Sequence, residues 1–139
     1  MNFELMIDTF PKLLAGSLIT IQLVTISLFI GFCLAIGLAL LRLSKHPFLN
    51  FFAKTYVFYF RGTPLLVQIF LIYYGIGQFE LVRESFVWIF FKDAYWCGIL
   101  ALTLNTCAYS SEIIRGGIQS VPFGQIESAR STGMSGFLL

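Results

Sequence analysis

Charge-free runs set the frame of this chain. Residues 17–41 contain no charged side chain. At 1.5 Å of rise per residue that run makes about 37 Å of helix, enough to cross a hydrocarbon core of about 30 Å with some tilt. Residues 63–79 form a second apolar segment that starts on Pro64 and carries Gln68 and Gly75. Its length of about 17 residues is at the short end for a span. The third, residues 95–114, is apolar apart from Thr103, Asn105, Thr106, Tyr109, Ser110, Ser111 and Glu112. The pattern predicts an all-α, polytopic membrane protein with three transmembrane helices.

The connections have patterns of their own. Residues 1–16 place Glu4, Asp8 and Lys12 at helical spacing, which predicts a lead lying on the membrane surface and no cleavable signal peptide. Residues 42–61 hold Arg42, Lys45, Lys54 and Arg61 without an acidic residue. Phe48, Phe51, Phe52 and Val57 are interleaved with them, as in an amphipathic interfacial helix. Residues 80–94 are mixed in charge, and their aromatic run at 86–91 predicts a short interfacial helix. In the first span, Gly16, Gly31 and Gly37 are positions where another helix could approach closely.

Basic residues orient the chain. The positive-inside rule places the 42–61 connection in the cytoplasm, the N-terminus and the 80–94 loop outside, and residues 115–139 inside. Composition agrees with a membrane setting: 58% of residues are hydrophobic and 12% charged. A globular domain is about a quarter charged, so this chain lacks the surface of a soluble protein. A net charge of +2 is too small to imply nucleic-acid binding. Cys33, Cys97 and Cys107 form no C-x-x-C pair and His46 is alone, so neither a metal site nor a cofactor is expected.

Two constellations carry chemistry. Asn105, Tyr109 and Glu112 are spaced i, i+4, i+7 and share one face of the third span. A carboxylate at the centre of a span costs about 2.5–3.5 kcal/mol, so it normally faces protein or water. Glu112 lies near the end of its span; it either pairs with Arg115 or joins Asn105 and Tyr109 in lining a polar path. Beyond it, Gly116, Gly117, Pro122 and Gly133 divide the remaining chain into short pieces. The piece around Gly124–Thr132 is too short to be a stable helix alone, which suggests order gained by docking.

The stretches YFRGTPLLVQIFLIYYG (59–75) and AYSSEIIRGGIQSVPFGQIESARSTGMS (108–135) resemble the transmembrane permease subunits of bacterial ABC importers for polar amino acids, the histidine/glutamine/arginine group. The run Glu127-Ser128-Ala129-x-x-x-Gly133 is similar to the cytoplasmic EAA signature of these binding-protein-dependent systems, with Ser128 in place of an alanine. The resemblance implies a type I importer permease fold. It implies that Gly124, Gln125, Glu127, Ala129 and Gly133 form a coupling helix for a cytoplasmic ATPase subunit. It puts Asn105, Tyr109 and Glu112 near the substrate path, and Arg61, Gly62, Thr63 and Pro64 at the cytoplasmic start of span two. The implied partners are that ATPase, a second permease subunit, an external substrate-binding protein and a polar amino acid, in a bacterial inner membrane.

The chain itself has no Gly-x-x-x-x-Gly-Lys-Ser/Thr phosphate loop, so ATP hydrolysis is expected in the partner and this subunit is not expected to be an enzyme. Permeases of this group have five spans, and the last two are not found in these 139 residues. The resemblance therefore leads to the expectation of a truncated product that does not transport alone. An ion channel or a plain membrane anchor is the alternative from composition, but neither accounts for a small-residue docking helix.

Overall fold

The computed structural model describes residues 3–136, with the side chains of residues 3–6 and Asp8 left aside. Residues 1–2 and 137–139 therefore lie outside the description, as do the Glu4 and Asp8 side chains named above. Among the described residues seven helices follow one another: α1 (Phe3–Leu43), α2 (Pro47–Gly62), α3 (Leu65–Phe70), α4 (Glu80–Arg83), α5 (Trp88–Phe91), α6 (Ala94–Gln119) and α7 (Phe123–Ser131). A π-type turn (Leu71–Gly75) and a 3-10 turn (Ile76–Gln78) extend α3.

Among the described residues two segments are long and apolar enough to cross a membrane, Thr9–Leu43 and Ala94–Gln119. They pack along each other and form the main body of the fold. Ser27, Gly31, Ala35 and Ala39 recur every four residues on α1, and all four are buried. Against this stripe α6 brings the Ile99 carbonyl, which accepts from Ser27 Oγ at 3.5 Å, and Thr103 and Thr106, which lie against Gly31; α6 also buries Cys97, Ala101, Ala108 and Ser111. The contact is thus built from small side chains. Between helices already surrounded by lipid there is little hydrophobic drive, so close backbone approach and van der Waals contact supply the cohesion. Gly31 is a point of close approach: a Cβ there would lie 2.9 Å from Thr106 Cβ and 3.0 Å from the Thr103 carbonyl oxygen. Gly16 and Gly37 meet nothing within 4 Å, so of the three glycines expected at a helix contact only Gly31 serves one. The outward face of α1 carries large apolar residues such as Phe29, 72% exposed.

Residues 1–16 are not a separate surface lead over the part described. α1 runs without interruption from Phe3, through Pro11. Proline there withholds one N–H from the helix, but the ladder resumes, and the hydroxyls that follow are absorbed locally. Ser17 Oγ donates to the Leu13 carbonyl at 2.9 Å and Thr20 Oγ1 to that of Gly16 at 3.0 Å.

The second apolar segment is not one straight rod. Helix α2 packs against both α1 and α6, burying Ala53 and Val57, and the chain then turns by 107° into the Leu65–Gln78 arm. Only if this bent pair counts as one span does the fold have three. The break falls at Thr63, which is extended (φ −113°, ψ 142°) because the ring of Pro64 excludes the helical region for the residue before it.

Helix α6 starts on Asp93, whose side chain accepts from the Tyr95 N–H at 3.0 Å. It was expected to end near Ile114 and to be broken by Gly116-Gly117. It continues through both glycines to Gln119, and the break comes at Ser120–Pro122. Two consecutive glycines weaken a helix but do not stop it, whereas Pro122 forces the residue ahead of it out of the helical region. The aromatic run at 86–91 yields a single helical turn, α5.

Candidate functional site

The site is a polar seam on α6 where it meets the end of α1 and the α2–α3 bend. Its lower end is Glu112. The side chain is 14% exposed and meets arginines from three helices. Arg42, the charge that closes the apolar run of α1, places Nε at 3.0 Å and Nη2 at 2.9 Å from Oε1. Arg115, one turn along α6, donates from Nε to Oε1 at 3.0 Å and from Nη2 to Oε2 at 2.9 Å, a fork that uses both carboxylate oxygens. Arg61 of α2 approaches more loosely, Nη1 standing 3.8 Å from Oε2. One carboxylate therefore faces three guanidinium groups, and the cluster keeps a net positive charge. Asn50 holds the α1–α2 corner, its Nδ2 donating to the Arg42 carbonyl at 2.6 Å.

One turn up, the Tyr109 ring lies beneath Arg61, with Cζ 5.4 Å from the ring centroid. A guanidinium at that distance is attracted to the ring face. Around these residues is a cavity of about 400 Å³, lined by Arg42, Lys54, Val57, Phe58, Arg61, Gly62, Tyr109 and Glu112.

The upper end of the seam is Asn105, whose Nδ2 donates to Gln68 Oε1 at 3.1 Å. Gln68 is buried, and its own Nε2 reaches three acceptors at the bend: the Phe60 carbonyl at 2.8 Å, the Thr63 carbonyl at 3.0 Å and Thr63 Oγ1 at 2.8 Å. Carbonyls left open where a helix stops are thereby satisfied by a side chain from the next one. Thr63 Oγ1 in turn donates to the Tyr59 carbonyl at 2.9 Å, and Tyr56 Oη to the Leu104 carbonyl at 2.9 Å. The Arg61-Gly62-Thr63-Pro64 sequence is thus the hinge region of the bend, fastened to α6 by Gln68 and Tyr56. Gln68→Leu should destabilise the protein by about 1–3 kcal/mol, the usual cost of leaving buried polar partners unmade. Thermal unfolding of the detergent-solubilised protein measures this, and an unchanged midpoint would mean the bend holds without it.

Three of the sequence-derived site residues, Asn105, Tyr109 and Glu112, do line one side of α6 and meet partners from α1, α2 and α3. Arg42 and Gln68 were not singled out as site residues. Each had a signal: Arg42 is the first charge after an uncharged run, and Gln68 is a polar side chain amid apolar neighbours, where it must find a partner.

The loop group lies apart from this seam, on α7. Gly124, Gln125 and Glu127 are exposed, Ala129 is half-buried, and no residue of the helix is buried. Pro122 precedes it and Gly133 ends it, with φ +83°, the left-handed conformation that closes a helix at low cost when the residue is glycine. The Gly133 N–H donates to the Arg130 carbonyl at 3.0 Å and the Met134 N–H to that of Ala129 at 3.1 Å. The result is a short helix, closed at its C-terminal end by Gly133, that no other element covers among the described residues.

The model of the family described as binding-protein-dependent transport system inner membrane component matches residues 27–139. The chain belongs to this family. It is 56% identical over 127 residues to the octopine transport system permease protein of Rhizobium radiobacter, covering 91% of this chain and 52% of that protein. To the nopaline transport system permease protein of Agrobacterium fabrum it is 55% identical over 139 residues, 99% of this chain and 58% of the relative. The histidine/lysine/arginine/ornithine transport system permease protein of Escherichia coli K12 is 45% identical over 123 residues, with 88% and 52% covered. A crystal structure of an amino acid ABC transporter with histidines superposes with a TM-score of 0.82 at 36% identity, over 98% of this chain and 59% of that one. The chain spans about half the length of the curated relatives it matches. As a binding-protein-dependent inner membrane component it has the ABC permease fold, all-α and membrane-spanning, and its family is a transport component and not an enzyme.

Proposed function

We propose that this chain forms part of the translocation path of an ATP-driven importer for polar amino acids or related solutes, and that it is coupled to a separate cytoplasmic ATPase through α7. The observation that carries the reading is the continuity of α6. One unbroken helix carries the polar seam at Asn105, Tyr109 and Glu112 and runs on to Gln119, three residues short of the exposed α7, so a push on α7 would be passed to the seam through a short connection. Small residues at Gly124, Ala129 and Gly133 would let the backbone of α7 approach a groove in the ATPase, with Gln125 and Glu127 supplying polar contacts. A second permease subunit would complete the path, and an external binding protein would deliver the solute. Hydrolysis of ATP would take place wholly in the ATPase partner. The names of the relatives, which run from octopine and nopaline to histidine, lysine, arginine and ornithine, favour a nitrogen-rich solute.

In this arrangement the N-terminus lies outside and the Arg42–Glu112 end inside. A cysteine introduced as Gln125→Cys should cross-link to the co-expressed ATPase subunit, which would also fix α7 on the cytoplasmic side; absence of any cross-link along α7 would refute the coupling role. Asn105→Leu should reduce uptake by tenfold or more, in keeping with about 1.4 kcal/mol per tenfold, while the protein still inserts and assembles. Unchanged uptake would remove Asn105 from the path.

A further inference from the structure

One face of α2 carries an alternation of which the polar seam uses only Arg61. Phe51, Lys54, Phe58 and Arg61 follow one another at three- and four-residue spacing and so share one side of the helix, adjoining the stripe of buried Ala53 and Val57. Phe51 is 70% and Phe58 80% exposed. Lys54 makes no ion pair among the described residues, and Arg61 pairs only loosely with Glu112 while lying over the Tyr109 ring. Lys54, Phe58 and Arg61 all line the cavity of about 400 Å³ beside the Arg42–Glu112 pair.

The depth of this cavity is fixed by charge. Arg42 ends the uncharged run of α1, and Glu112 is the first charged residue of α6 after Asp93. Where these two meet is one boundary of the apolar slab. A cavity at that boundary with surplus positive charge on its inner wall and the exposed phenyl ring of Phe58 in its lining, with Phe51 two turns away on the same face of α2, is two-sided in its chemistry. Its inner wall suits a phosphate, and its rim suits acyl chains.

We infer that the α2 face and this cavity bind an anionic glycerophospholipid, with its phosphate between Lys54 and Arg61 and its acyl chains along Phe51 and Phe58. Basic pockets beside membrane helices are suited to such headgroups, and juxtamembrane cations each contribute to the attraction. Free phosphate would satisfy the cations but leave the aromatic rim unused. The inference rests on α2 and the cavity, and its test needs no ATPase, so it can fail independently of the transport reading.

The test is lipid retention by the full chain in phosphatidylcholine nanodiscs containing trace labelled phosphatidylglycerol. The protein should retain phosphatidylglycerol in preference to phosphatidylcholine. Lys54→Gln should reduce that preference about fivefold, the factor equivalent to one juxtamembrane charge, and Lys54→Arg should preserve it. Phe58→Ala should weaken retention of the labelled lipid through the rim. Absence of a preference in the unaltered protein would overturn the inference, as would insensitivity to both Lys54→Gln and Phe58→Ala. So would displacement of the lipid by millimolar inorganic phosphate, which would mark an ion site. Displacement by a free amino acid would assign the cavity to the solute path instead, and would equally overturn it.

Discussion

Glu112→Gln should lower the thermal midpoint of the purified protein by several degrees, for a loss of roughly 3 kcal/mol, the lower end of what removing one partner of a buried ion pair costs. The lower end applies because Arg61 and Arg115 keep part of their contact with water, with side chains 45% and 26% exposed. The physical cause is not the lost attraction alone. Three guanidinium groups from three helices would remain around a neutral amide, and their mutual repulsion would be uncompensated. That distinguishes the carboxylate from an ordinary surface pair, which contributes little. A second substitution provides the control. Adding Arg42→Gln to Glu112→Gln should recover part of the loss, since one repelling charge is then gone. Full stability in the single variant would show that the cluster does not tie α1, α2 and α6 together.

The second large effect is expected at Gly31. Gly31→Leu places a branched side chain where even a Cβ would be 3.0 Å from the backbone oxygen of Thr103. Backbone cannot move aside as a flexible side-chain tip can, so α1 and α6 would have to separate. Overpacking of this kind costs about 1–3 kcal/mol in well-packed interiors, and more where the obstacle is backbone. The expected outcome is loss of the folded monomer band and protease protection in detergent, with membrane insertion intact, because the apolar length of α1 is unchanged. Gly37→Leu is the matched comparison: open space surrounds Gly37, so that variant should behave like the parent. Equal behaviour of the two variants would place the helix contact elsewhere.

Much of this architecture is written in the sequence in terms of solvation. A run such as 17–41 has to be helical and in lipid, because an unpaired backbone there would have no water to turn to. The i, i+4, i+7 face of Asn105, Tyr109 and Glu112 follows from helix geometry. The Glu112–Arg115 pair was legible as well; what could not be read was which distant partners those residues would find. Arg42 lies far from Glu112 in sequence, and Gln68 far from Asn105; only the packing of α1 and α3 on α6 brings them together. The bend was half legible. Thr63-Pro64 announces a helix boundary, but its angle depends on how Gln68 and Tyr56 fasten the two arms. The two glycines misled for a related reason. Local propensity weighs against a helix at Gly116-Gly117, yet α6 is established by more than twenty preceding residues and extends through them.

The stride of small residues on α1 has a consequence for how this helix tolerates change. Most of its length presents Ile, Leu, Val and Phe outward, where one apolar side chain can replace another with little effect. Ser27, Gly31, Ala35 and Ala39 admit no such exchange, because their function is to occupy almost no volume. The recognition content of α1 is therefore written in what four positions omit, and variation of its hydrophobic surface leaves that message unchanged.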